Sequence, residues 1–117
     1  TRPADEVLVV DNGSADGSAE ALAAEFSGAV RVLCEPRRGV SHARNLGIEH
    51  ARGDLLAFID DDARARPDWL SRILDCVSDT GAWGVGGPTL ADWETLPSSR
   101  LLGSAKALSY AGVFSLG

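Results

Sequence analysis

The sequence predicts an α/β protein: a mainly parallel, layered sheet with helices flanking its faces. Two observations carry that expectation. Short apolar runs of strand length, Glu6–Val10, Val30–Glu35, Leu55–Ile59 and Ala82–Gly86, alternate with stretches whose apolar residues recur at helical spacing. Strands separated by helices call for right-handed parallel crossovers and an open sheet. In addition, acidic residues gather where these runs end: Asp11, Glu35, and the triplet Asp60, Asp61 and Asp62. In open α/β sheets that carboxyl edge is where ligands bind.

Each element has its own signal. Glu6–Val10 is β-branched and apolar and stops at Asp11, Asn12 and Gly13, a strand ending in a turn. Asp16 is placed to cap a helix in which Ala19, Leu22, Ala23 and Phe26 follow the i, i+3, i+4, i+7 pattern, closed by Gly28. After the second strand, Pro36 and Gly39 mark a loop before a helix from about Ser41 to Ala51, ended by Gly53. Leu55–Ile59 is uninterrupted and apolar, the pattern of a parallel strand covered on both faces. Pro67 suits a first helical position, and Trp69, Leu70, Ile73, Leu74 and Val77 form an apolar stripe reaching to Gly81. Beyond Gly87 the pattern weakens: Pro88 and Pro97 flank a loop with Asp92, Trp93 and Glu94, and Ser99–Ala111 is expected to be helical.

Length and composition narrow the function. A chain of 117 residues with 44% hydrophobic and 24% charged residues fits one globular domain, 1–117. Eleven basic against 17 acidic side chains give a net charge of −6, which argues against a protein that coats nucleic acid. The basic residues are almost all arginine, with Lys106 the sole lysine, which suits planar, bidentate contacts to anions. Cys34 and Cys76 lack the spacing of a disulfide framework or zinc site and read as core residues of a reducing compartment. No apolar run approaches the roughly 20 residues that span a bilayer, and Thr1–Glu6 is too polar for a signal peptide. The expected location is the cytoplasm, including the inner face of a membrane.

The acid triplet carries the chemistry. Three adjacent carboxylates at a strand end repel one another unless a cation, basic groups or water compensates. A hard divalent ion does so well, because Mg²⁺ and Mn²⁺ prefer oxygen ligands and Mg²⁺ is commonly held by one or two carboxylates plus substrate phosphates. The alternative is a solvated acidic turn that caps the next helix. The loop Asp11–Ser18, with two glycines and several short polar side chains, lets a ligand approach the backbone closely. It equally suits an ordinary strand-to-helix turn.

Three blocks then occur in order. Val9, Val10, Asp11, Asn12, Gly13, Ser14, Ala15, Asp16, Gly17 and Ser18 are similar to V-V-D-D-G-S-x-D-G-S; Gly39 to Gly47, with Ala43, Arg44 and Asn45, resembles G-x-x-x-A-R-N-x-G; Phe58 to Asp62 with Pro67, Asp68 and Trp69 resembles a DxD block and its following helix. Together, over roughly residues 6 to 90, they resemble the family-two inverting nucleotide-sugar glycosyltransferases of GT-A fold, which have a Rossmann-like nucleotide-binding core. That resemblance implies that Asp11 and Asn12 face the nucleobase with Arg44 close by. It also implies that Asp60, Asp61 and Asp62 contact the donor ribose and a Mn²⁺ or Mg²⁺ ion bridging the diphosphate, with Asp62 and Asp60 as metal ligands. The implied partners are a nucleoside-diphosphate sugar, UDP-sugar favoured, and a carbohydrate, lipid or other hydroxyl acceptor.

The sequence departs from the family pattern in three places. Asn12 stands where the family often has Asp, which leaves the nucleotide open, since an amide both donates and accepts. The family's first strand and helix have no counterpart in Thr1–Asp5, and no convincing match to its downstream general base precedes Gly117. Asp92 and Glu94 are the weak candidates for that base, and residues 88–117 are expected to begin the acceptor side. The chain thus reads as a fragment that binds a donor but turns it over poorly, with an exposed sheet edge open to self-association. Two rivals accompany this reading: a receiver-like phospho-acceptor domain, which needs a late lysine that Lys106 does not supply, and a non-catalytic sugar-nucleotide-binding module.

Overall fold

The computed structural model describes residues 2–90 and residue 92. Its elements run β1 (Leu8–Asp11), α1 (Ser18–Glu25), β2 (Arg31–Cys34), α2 (Val40–His50) and α3 (Trp69–Thr80). The two strands pair in parallel, Leu8 opposite Arg31 through Asp11 opposite Cys34, and this is the α/β, parallel, helix-flanked class that the sequence predicts. Two further bonds extend the ladder: Arg31 N–H donates to Val7 O at 3.0 Å and Glu35 N–H to Asp11 O at 2.8 Å. Contacts cluster the chain into two units, Thr1–Leu70 and Ser71–Gly117. In the first, α2 packs on β1 and α1 on β2.

Local chemistry explains the boundaries. The α1 cap is Gly17, in the left-handed region at φ 81°, rather than Asp16. Asp16 stands one residue earlier and accepts from the Ser18 N–H at 3.0 Å and from the Ser18 hydroxyl, so its carboxylate still serves the first helical turn. Those bonds, side-chain first, hold its pKa below the usual carboxylate value. Helix α2 starts at Gly39, whose φ of 130° and ψ of 131° suit glycine alone. At α2's far end, Glu6 ties strand to helix: it pairs with Arg31 at 2.5 Å and accepts from the Arg52 N–H at 3.0 Å, while Arg31 also donates to His50 O at 2.8 Å. In α3, Trp69, Leu70, Ile73, Leu74 and Val77 are half-buried, and Gly81, at φ 65°, follows the last turn.

Three expectations are corrected. Neither Leu55–Ile59 nor Ala82–Gly86 pairs as a strand among the described residues. An apolar run marks where strand-forming residues lie, but a ladder also requires a partner edge, and among the described residues β1 pairs only with β2. Phe58 and Ile59 are consequently about half exposed rather than covered on both faces. Cys34 is exposed, not a core residue. It shares a face of β2 with Val32 and borders an open hollow lined also by Ala19, Glu20 and Ala23 of α1. Ser99–Ala111 lies outside the described residues.

Two glycines give opposite expectations. A Cβ on Gly47 would sit 3.5 Å from Val10 Cγ2, an ordinary contact inside a helix, so Gly47→Ala is expected to raise stability by about 0.5–1 kcal/mol. At Gly39 the backbone conformation itself disfavours a side chain, and Gly39→Ala is expected to lower stability by about 1–3 kcal/mol. Urea melts of the two variants check the pair, and equal shifts in the same direction would contradict the local geometry.

Candidate functional site

The β1–β2 register brings the carboxyl ends of both strands to one place, with Asp11 opposite Cys34 and Glu35 one residue on. Asp11's carboxylate faces the Ser14 N–H at 3.2 and 3.3 Å, closing a turn in which Gly13 adopts φ 82°. One N–H leaves most of a carboxylate's acceptor capacity free. Asp11 therefore presents free acceptor oxygens at the sheet's carboxyl edge.

Asn12, which the resemblance sets facing the nucleobase, makes hydrogen bonds within the protein. Its Nδ2 donates to Glu35 O at 2.9 Å and Arg37 O at 2.7 Å, while its Oδ1 accepts from the Gly39 N–H at 2.8 Å. The amide is thus engaged with the connection between β2 and α2.

Glu35 is 2% exposed, the sole fully buried polar residue among those described, where no hydrophobic side chain is fully buried. Its carboxylate accepts from Arg37 Nε at 2.9 Å, Nη2 at 2.7 Å and the Arg37 backbone N–H at 2.9 Å. Those bonds, the guanidinium foremost, outweigh burial and hold its pKa at about 2. Sequence reasoning placed Glu35 at the ligand edge but missed this clamp. The available signal was the Glu-Pro-Arg order, in which an arginine two residues on can fold back onto the acid.

Arg44, on α2, donates through Nη2 to Asp60 Oδ1 at 3.1 Å, so the helix holds the first acid of the triplet. Both partners are substantially exposed, and such a pair contributes only about 0–1 kcal/mol. Its value is in placement. The Ala63 N–H donates to Asp60 O at 3.0 Å, turning the chain so that Asp61 and Asp62 stand exposed, without a hydrogen-bond partner among the described residues. Beside Arg44, an open hollow of about 490 Å³ is lined by Ser41, Asn45, Ile48 and Phe58. No group of three His, Cys, Asp or Glu side chains converges on one metal-sized point among the described residues. Asp92 is exposed in the second unit, and Trp93 and Glu94 lie outside the described residues.

Comparison with known proteins identifies the class. The profile of Glycosyl transferase family 2 matches residues 1–101, and the chain belongs to that family. Among curated proteins it is similar to glycosyltransferase AglE of Haloferax volcanii, 46% identical over 86 residues that make up 70% of this chain and 28% of that protein. It is also similar to succinoglycan biosynthesis protein ExoM of Rhizobium meliloti, 38% identical over 74% of this chain and 29% of that protein. A third is the glucosyl-dolichyl phosphate glucuronosyltransferase of Haloferax volcanii, 42% identical over 50% of this chain and 19% of that protein. The chain thus spans under a third of the length of these relatives. No solved structure matches it significantly. No described helix is long and apolar enough to cross a membrane.

The Glu35 clamp makes a pH prediction. A carboxylate whose folded pKa lies at about 2, below an ordinary value of 4.5, contributes stability that is fully present above pH 4.5 and is lost as pH falls toward 2. Glu35→Gln is expected to flatten the fall in denaturation midpoint across that window. An unchanged acid slope in the variant would show that Glu35 is not held ionised by Arg37.

Proposed function

We propose that this chain forms the donor-binding part of a metal-dependent glycosyltransferase that moves a sugar from a nucleoside-diphosphate sugar, UDP-sugar favoured, to an acceptor hydroxyl with inversion. The observation that carries this reading is the Arg44–Asp60 pair, which fastens the acid triplet to the helix rising from the Asp11 edge of the sheet. Family membership supports it.

The donor set suits a hard cation. Asp61 and Asp62 are exposed, hydrogen-bond-free carboxylates among the described residues, and Asp60 keeps one oxygen outside its bond to Arg44. Mg²⁺ or Mn²⁺ completes its shell with phosphate oxygens and water, so a preformed cage of three protein ligands is not required. Asp62 and Asp60 would hold the ion, which would supply electrostatic stabilisation to the departing diphosphate. Asp11 would accept from the base, and Asp61 from the ribose.

In the reaction the acceptor hydroxyl forms a bond to the anomeric carbon from the face opposite the leaving group, and the nucleoside diphosphate departs. A carboxylate takes the hydroxyl proton; within this chain Asp92 and Glu94 are the candidates. The name of the glucuronosyltransferase relative points to a polyprenyl-phosphate-linked sugar as one acceptor class, and such an acceptor would bring the enzyme to a membrane face.

Asp62→Ala is expected to abolish Mn²⁺-dependent binding of UDP while leaving the metal-free melting temperature unchanged or raised, because it relieves repulsion among adjacent carboxylates. Titration calorimetry with and without Mn²⁺ reads the first effect and thermal melting the second. Unchanged affinity in the presence of Mn²⁺ would defeat the metal assignment.

A further inference from the structure

Asn12 follows directly on Asp11 at the edge where a ligand is expected, yet its side chain is committed to the protein. Three hydrogen bonds of 2.7–2.9 Å reach alternate residues of one connection: the carbonyls of Glu35 and Arg37 and the N–H of Gly39. The pattern also fixes the amide's orientation, because the flipped form would set NH₂ against an N–H and oxygen against two carbonyls. Of the short side chains, asparagine alone offers two donors and an acceptor at this reach. Aspartate would keep the Gly39 bond and lose both donors; serine has a single donor.

What the amide holds is the start of α2. Gly39 is the residue from which that helix begins, and the helix carries Arg44, which in turn holds Asp60. Farther along, Gly47 brings α2 close to Val10 of β1. The Glu35–Arg37 clamp stiffens the connection from within, and the Asn12 amide joins it to the end of β1.

We infer that Asn12 is a positioning residue of the donor site, not a reader of the nucleobase: by clasping the Glu35–Gly39 connection it sets α2, and through it Arg44 and Asp60, against Asp11. The donor-site part of this inference rests on the function proposed above; the clasp itself does not. Base discrimination accordingly falls to groups other than Asn12.

The test compares the unsubstituted chain with Asn12→Ala and Asn12→Asp in two measurements. Hydrogen exchange on the ligand-free protein reads the clasp: the Gly39 amide should exchange roughly tenfold faster in Asn12→Ala, which removes its acceptor, and remain protected in Asn12→Asp. Calorimetry with UDP, GDP and TDP, each with Mn²⁺, reads the role: both variants should weaken all three by a common factor, leaving their ratios unchanged. A Gly39 amide unaffected by Asn12→Ala would overturn the clasp, and altered nucleotide preference at retained overall affinity would assign Asn12 to base reading instead. Should Asn12→Ala fail to fold, the nucleotide ratios of Asn12→Asp decide. If the unsubstituted chain binds none of the three nucleotides, the proposed function fails, while the exchange result still judges the clasp.

Discussion

Everything at the candidate site descends from the parallel register that sets Asp11 opposite Cys34. Because the two strands end level, the residues just beyond them, Asn12 and Glu35, meet, and the connection leaving β2 passes within reach of the Asn12 amide. A shift of one residue would reverse which side chains face α1 and α2 and would carry Glu35 out of line with Asp11. The register is held by backbone bonds that run past the strands, from Arg31 to Val7 and from Glu35 to Asp11.

Polar contacts hold much of what surrounds that ladder. Among the described residues the one fully buried side chain is a carboxylate, Glu35, made tolerable by a guanidinium and a backbone N–H. A buried acid removed from its partners is strongly disfavoured, so such a group enforces one geometry more than it adds net stability. Glu6 performs a similar service at the opposite end of the strands, joining Arg31 to the residues after α2. The site edge and the far edge are thus both fastened by carboxylate–arginine pairs, with α2 between them.

Much of this was legible in the sequence for identifiable reasons. The helical stripe at Trp69–Val77 has a period that water and an apolar neighbour impose, and α3 forms there. Gly39 and Gly81 mark helix boundaries because their backbone conformations disfavour side chains. Capping was misjudged by one residue at Asp16, since a carboxylate can serve the first turn from either of two positions while glycine takes the left-handed turn. The run Leu55–Ile59 misled because composition reports an affinity for strands, whereas pairing depends on which edge is offered.

The sequence by itself determined the family, the α/β class and the identity of the acids, because those depend on residue types at fixed spacing along one chain. Ordered blocks around Asp11, Arg44 and Asp60 survive without knowledge of contacts. Tertiary structure alone decided what each polar side chain does. Asn12 and Glu35 lie 23 residues apart, and nothing local says that an amide at one will bond the carbonyl of the other. Nor could spacing announce that Arg44 would spend a hydrogen bond on Asp60, 16 residues away. Hydrogen bonding is directional and short-ranged, so its partners are set only when the β1–β2 register and the seat of α2 bring them within about 3 Å.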